Sequence, residues 1–164
     1  MLSHPVLIGL SAAILLAAVL HDVAFRTVPN WMPAALLALG IGIRTQAGGL
    51  APGLLACVLI LLGAGFCWRR GWLGGGDVKL LAACGVLAPP GLPGVMLGNV
   101  ALAGGALALL YLALGRVLAP PGDACPPGRL RGILWAERRR IHGRGPIPYA
   151  SAIAVGALLV LYRG

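Results

Sequence analysis

Acidic residues are almost missing from this 164-residue chain: Asp22, Asp77, Asp123 and Glu137 are all there are. Lysine occurs once, as Lys79, and charged residues total only 10%. An ordinary soluble domain carries about 25%, so a water-facing surface is excluded for most of the chain. Cys57, Cys67, Cys84 and Cys125 form no C-x-x-C pair, which excludes a zinc ribbon and a thioredoxin-like redox motif. In apolar surroundings such cysteines are packing residues. His4, His21 and His142 are scattered without metal-ligand spacing, and neither a metal nor another cofactor is expected. No internal repeat is visible, which counts against an inverted-repeat transporter. The first apolar segment is preceded by Ser3 and His4 rather than by a basic stretch, which counts against a cleaved signal peptide.

What remains is apolar: 59% hydrophobic residues and a mean hydropathy of +0.92. Six apolar segments are expected, at residues 5–20, 31–43, 53–68, 78–88, 92–114 and 146–162. Between the first two, the polar stretch from His21 to Asn30 reads as a turn that Pro29 and Asn30 enforce. The fold class is an all-α integral membrane protein with six transmembrane helices, one domain over residues 1–164. A basic loop rich in Pro, Gly and Arg covers residues 115–145. The second and fourth segments are short; the second spans roughly 20 Å against a hydrocarbon core of about 30 Å. They suit a locally thinned or wetted bilayer edge. Glycine and alanine suit close helix packing in lipid, and Asn99 suits an interhelical hydrogen bond.

Loops between six crossings alternate sides. The first, third and fifth loops hold eleven of the thirteen cations, leaving Arg44 and Arg163. The positive-inside rule therefore puts the odd loops in the cytoplasm and both termini outside, and explains the arginines better than a nucleic-acid face does. Asp22 ends the first helix and Asp77 opens the fourth, so both fall at the cytoplasmic edge. Carboxylates kept beside lipid are usually functional. Two close carboxylates hinder each other's ionisation and hold one proton between them. One ionised and one protonated carboxylate are what peptide hydrolysis by water requires. Gly74, Gly75 and Gly76 would let an extended peptide backbone approach Asp77. Helix capping is the competing reading; it fits Asp77 well and Asp22 poorly, because a carboxylate opposes the dipole at its own helix's C-terminus. Placement alone leaves both readings open.

The run Gly74-Gly75-Gly76-Asp77-Val78-Lys79-Leu80 closely resembles the G-x-G-D-x-K-L signature of type IV prepilin peptidases, the GxGD-type intramembrane aspartic proteases. The first loop, Asp22-x-x-x-Arg26-x-x-Pro29-Asn30, resembles the other catalytic region of that family. The resemblance implies that Asp22 and Asp77 are the catalytic pair, with Gly74, Gly76 and Lys79 shaping the site. It implies a bacterial inner-membrane enzyme, active toward the cytoplasm, that cuts the basic leader from prepilins or pseudopilins. Larger members also methylate the new N-terminus and carry paired C-x-x-C motifs. This chain has none, so a peptidase without methyltransferase activity is expected, similar to the compact branch serving Flp-type pili. Pro148-Tyr149-Ala150 also resembles that branch. The alternatives are a small proton-coupled transporter or channel, and a non-catalytic pilus or secretion subunit. The first would need repeat symmetry, and the second has no reason to keep both aspartates.

The remaining charges have plainer expectations. Lys79 snorkels to the interface, Arg26 meets a lipid headgroup, and Arg138-Arg139-Arg140 meets anionic lipid, since a basic leader would be repelled. Asp123 and Glu137 are expected to be solvated loop charges.

Overall fold

The computed structural model describes residues 3–162 apart from Asp123, Cys125 and Arg144; the expectations for Asp123 and Cys125 lie outside the described residues. Among the described residues there are seven helices and no strand: α1 (His4–Phe25), α2 (Trp31–Ala47), α3 (Leu50–Arg69), α4 (Gly75–Leu87), α5 (Pro93–Val117), α6 (Arg129–His142) and α7 (Tyr149–Leu161). Three of them, α1, α3 and α5, are long and apolar enough to cross a membrane. Their outer faces carry exposed Leu16, Leu20, Leu59, Leu62, Leu102 and Leu109. An apolar belt on that scale is covered by lipid in a membrane protein.

The short helices lie at the centre. α4 packs on α2, α3 and α7. Val78 and every residue from 80 to 87 are buried. An apolar surface on all sides is what a helix enclosed by other helices requires. Close approach depends on small residues, as expected. A Cβ on Gly85 would lie 3.3 Å from the Cys57 backbone of α3, and one on Gly156 would lie 2.4 Å from Val100 Cγ2 of α5. At the far end of α4, buried Arg44 donates from Nη2 to Leu87 O at 3.3 Å. A cation there satisfies a terminal carbonyl and suits the helix dipole. Arg44 is therefore a packing residue of the bundle and not a loop charge.

Two boundaries differ from expectation in ways that move functional residues. The turn expected from His21 starts later: α1 continues to Phe25, because neither His21 nor Asp22 breaks a helix. Arg26 ends it instead, in the left-handed conformation (φ 56°, ψ 33°), donating its N–H to Asp22 O at 2.8 Å. At the other site α4 begins at Gly75, so Asp77 is its third residue. The expected loop over residues 115–145 contains α6, an arginine-rich amphipathic helix with no fully buried residue.

Candidate active site

The C-terminus of α1 and the N-termini of α4 and α7 converge at one end of the bundle. Asp22, 6% exposed, points at the start of α7 and accepts a hydrogen bond from the Ala150 N–H at 3.2 Å. Amides in the first turn of a helix have no internal partner, so Asp22 satisfies one of them and sits at the positive end of the α7 dipole. Capping therefore does describe Asp22, but the helix it caps is α7. Asp77 lies in the first turn of α4, with the Gly74 backbone amide directed at its carboxylate. That is half of a capping box.

Both carboxylates line the same two cavities. The larger, about 450 Å³, is completed by Arg26, Trp72, Leu73, Gly74, Gly145, Pro146, Ile147 and Tyr149. The smaller, about 290 Å³, adds Thr27, Val28, Gly75 and Gly76. A third, apolar groove of about 500 Å³ runs between α3, α4 and α5 along Leu59, Ile60, Ala64, Leu81 and Leu97. It shares Trp72, Leu73 and Tyr149 with the larger carboxylate cavity, so the apolar and polar spaces adjoin.

The glycines have distinct tasks. A Cβ at Gly74 would sit 2.8 Å from Asp77 Oδ2, while one at Gly76 would sit 3.1 Å from Val28 Cβ in the turn after α1. Gly74 thus leaves room for the carboxylate, and Gly76 lets α4 approach the strand of chain that follows Asp22. Lys79 is exposed and donates from Nζ to Asn30 Oδ1 at 2.8 Å. It ties α4 to the Pro29-Asn30 turn without facing either aspartate cavity. Among the described residues, no three His, Cys, Asp or Glu side chains gather as a metal site.

Two further expectations are overturned. Arg26 does not face lipid, and Glu137 is not a solvated charge. Their side chains, 10% and 15% exposed, form an ion pair. The Tyr111 hydroxyl of α5 donates to the same Glu137 oxygen, and Arg26 Nη2 reaches Tyr111 Oη at 3.4 Å. Arg140 Nη1 donates to Glu137 Oε2 at 3.1 Å and to Val23 O at 3.3 Å. Burial opposes ionisation of Glu137, but hydrogen bonds from Tyr111 and Arg26 and the charge of Arg26 outweigh it, holding the carboxyl below its usual range. Burial likewise opposes the Arg26 cation, and its hydrogen bonds to Tyr111 and Glu137 outweigh that. Arg138, which is exposed, donates from Nη2 to Ala119 O at 2.8 Å in the connection that follows α5. The arginine triplet is therefore partly structural: Arg140 pins α6 to α1, and Arg138 ties it to the connection after α5.

The sequence profile of the type IV leader peptidase family matches residues 9–113, which takes in α1 from its second turn, both aspartates, the glycine run and most of α5. The chain belongs to the type IV leader peptidase family. No curated protein matches it, and no solved structure does. As a leader peptidase it shows something the matched stretch does not contain. α6 and α7 lie beyond residue 113, yet α7 supplies the amide that holds Asp22 and Tyr149 in the cavity wall, and α6 supplies Glu137. The sequence signals for α7 were the apolar run over residues 146–162 and Pro148-Tyr149-Ala150. Nothing local in sequence signalled the Arg26–Glu137 pair.

Proposed function

We propose that this leader peptidase is an intramembrane aspartic endopeptidase, with Asp22 and Asp77 as its catalytic pair. It removes the basic leader from Flp-like prepilins or pseudopilins at the cytoplasmic membrane face, without methylating the new N-terminus. The observation that carries this is the placement of both aspartates, from helices far apart in sequence, in the walls of one cavity. The pair holds a single proton. The ionised carboxylate takes a proton from water, the water oxygen adds to the scissile carbonyl carbon, and the protonated carboxyl gives its proton to the carbonyl oxygen. Collapse of the resulting diol breaks the C–N bond, and the departing nitrogen takes up a proton.

The apolar groove supports the substrate class. A prepilin presents a basic leader followed by a hydrophobic helix, and the groove offers an apolar bed that adjoins the carboxylate cavity through Trp72, Leu73 and Tyr149. Six crossings remain the reading of the topology. α4, at 13 residues, does not need a full hydrocarbon length, since residues 80–87 are buried against α2, α3 and α7. Its N-terminus opens where the cation-rich loops gather, which the positive-inside rule assigns to the cytoplasm. Exposed Arg129, Arg131 and Arg139 on α6 are left to meet anionic headgroups there.

The test is co-expression in bacteria with a candidate Flp-type prepilin. Cleavage shows as a leader-sized mobility shift, which Asp22→Asn and Asp77→Asn should each abolish while the protein still accumulates in the membrane.

A further inference from the structure

Arg26 has donors to spare. A guanidinium offers five N–H bonds. Nη2 serves Glu137 and Tyr111, whereas Nε and Nη1 are buried without any partner among the described residues. Buried polar groups left in this state call for a specific explanation, commonly a site function or an ordered water. Three observations favour a site function. Arg26 lines both cavities that contain Asp22 and Asp77. Its charge is already matched by Glu137, so the spare donors are not needed for the ion pair. Its left-handed backbone, locked by the N–H to Asp22 O, fixes where the side chain leaves the helix relative to the catalytic carboxylate.

The chemistry of the ligand follows from the fold. An extended peptide must have its backbone hydrogen-bonded when it leaves water. Proteins with a sheet supply those bonds from a strand edge. Among the described residues this bundle has no strand, and helix amides beyond the first turn are used internally. The donors left for that task are first-turn amides of α4 and α7 and side chains of the cavity wall, and Arg26 is a cation in that wall with three N–H bonds unspent.

We infer that Arg26 is a substrate-contacting residue: its Nε and Nη1, closed to water in this structure, become accessible to a backbone carbonyl of the peptide laid across Asp22 and Asp77, with Glu137 as the positioning residue that holds the guanidinium there. The inference rests on the peptidase reading of the site. It gives α6 a purpose: through Glu137, a surface helix sets the geometry of the peptide subsite next to Asp22.

The experiment uses the full chain in lipid nanodiscs and a synthetic peptide consisting of a basic leader joined to an apolar helix. Peptide bonds flanking the cleavage site are replaced one at a time by (E)-alkene isosteres, which keep the shape and remove the carbonyl. At one bond the isostere should raise the KM of the wild-type protein about tenfold or more, the scale of a hydrogen bond to a charged group. In Arg26→Met the unmodified peptide should already show that raised KM, and the isostere should add nothing, because residue and carbonyl are coupled. Glu137→Gln should raise KM in the same direction with a smaller change in kcat. Should Arg26→Met not fold, Arg26→Lys keeps the ion pair, loses the fork, and should show the same loss of coupling. Wild-type cleavage with no coupled bond in either variant overturns the role of Arg26 and leaves the donors to water. A wild-type protein that leaves the unmodified peptide whole overturns the peptidase reading, and this inference with it.

Discussion

Gly74→Ala separates catalysis from folding at a single position. Gly74 has φ −71° and ψ 145°, a backbone any residue adopts, so alanine introduces no backbone strain. The new Cβ meets one group only: Asp77 Oδ2 at 2.8 Å and, behind it, Asp77 Cγ at 3.7 Å. Ordinary contact begins at 3.4 Å, so the carboxylate must retreat by about 0.6 Å, the difference of the two distances. A misplacement of about 1 Å at a reacting group costs on the order of 100-fold in rate. The expected loss in kcat is therefore roughly 10- to 100-fold. Stability should be unchanged or raised by about 0.5 kcal/mol, because alanine restricts the unfolded chain. The assay is cleavage kinetics of the purified protein in nanodiscs, with thermal unfolding measured on the same sample. Gly98→Ala, which meets nothing within 4 Å inside α5, is the control and should match wild type in kcat while being equally or more stable. Wild-type kcat in Gly74→Ala would show that the position of the Asp77 carboxylate does not govern the reaction.

Gly156→Ala tests the bundle instead. Its Cβ would lie 2.4 Å from Val100 Cγ2 and 2.8 Å from the Val100 backbone nitrogen, so α5 and α7 must separate at a cost of about 2 kcal/mol, read as a lower unfolding midpoint in denaturing detergent. Glu137→Gln strands two cations and should loosen α6 by about 3 kcal/mol, seen as faster hydrogen exchange in residues 129–142 at neutral pH. Acid should do the same to the wild type. The Glu137 carboxyl is held below its ordinary value of 4.5, so its contribution is complete above that pH and is lost as the pH falls through the lowered value. Mass spectrometry of a cleaved prepilin N-terminus should find it unmethylated when this protein is the only processing enzyme present; a methyl group there would contradict the compact-peptidase reading.

Much of the architecture was legible because apolar runs in lipid are long and their breakers are strong. Pro29-Asn30 and Pro89-Pro90 do separate α1 from α2 and α4 from α5. The ends of helices were harder to read. His21 and Asp22 look like a stop, but polarity alone does not break a helix, and the chain continues until Arg26 turns left-handed. The glycine run looks like loop, yet Gly75 and Gly76 form the first turn of α4, where the helix allows α4 to press on Val28. α6 was hidden by its flanking prolines and glycines, although Leu130, Ile133, Leu134 and Ile141 follow helical spacing. The shared level of Asp22 and Asp77 could be derived from loop charges alone. The pairing of Arg26 with Glu137 could not, because it joins residues 111 positions apart through tertiary packing. The same is true of the Ala150 amide on Asp22. Sequence put the two aspartates at one end of the bundle, and only the folded chain revealed what holds them.

The roles of Asp22 and Asp77 are tested most directly by single-turnover cleavage of a prepilin by the purified protein, comparing wild type with Asp22→Asn and Asp77→Asn at matched thermal stability. The wild type should cleave the prepilin, and neither variant should do so detectably. Full activity in either one would show that the two carboxylates lining this cavity are not the catalytic pair.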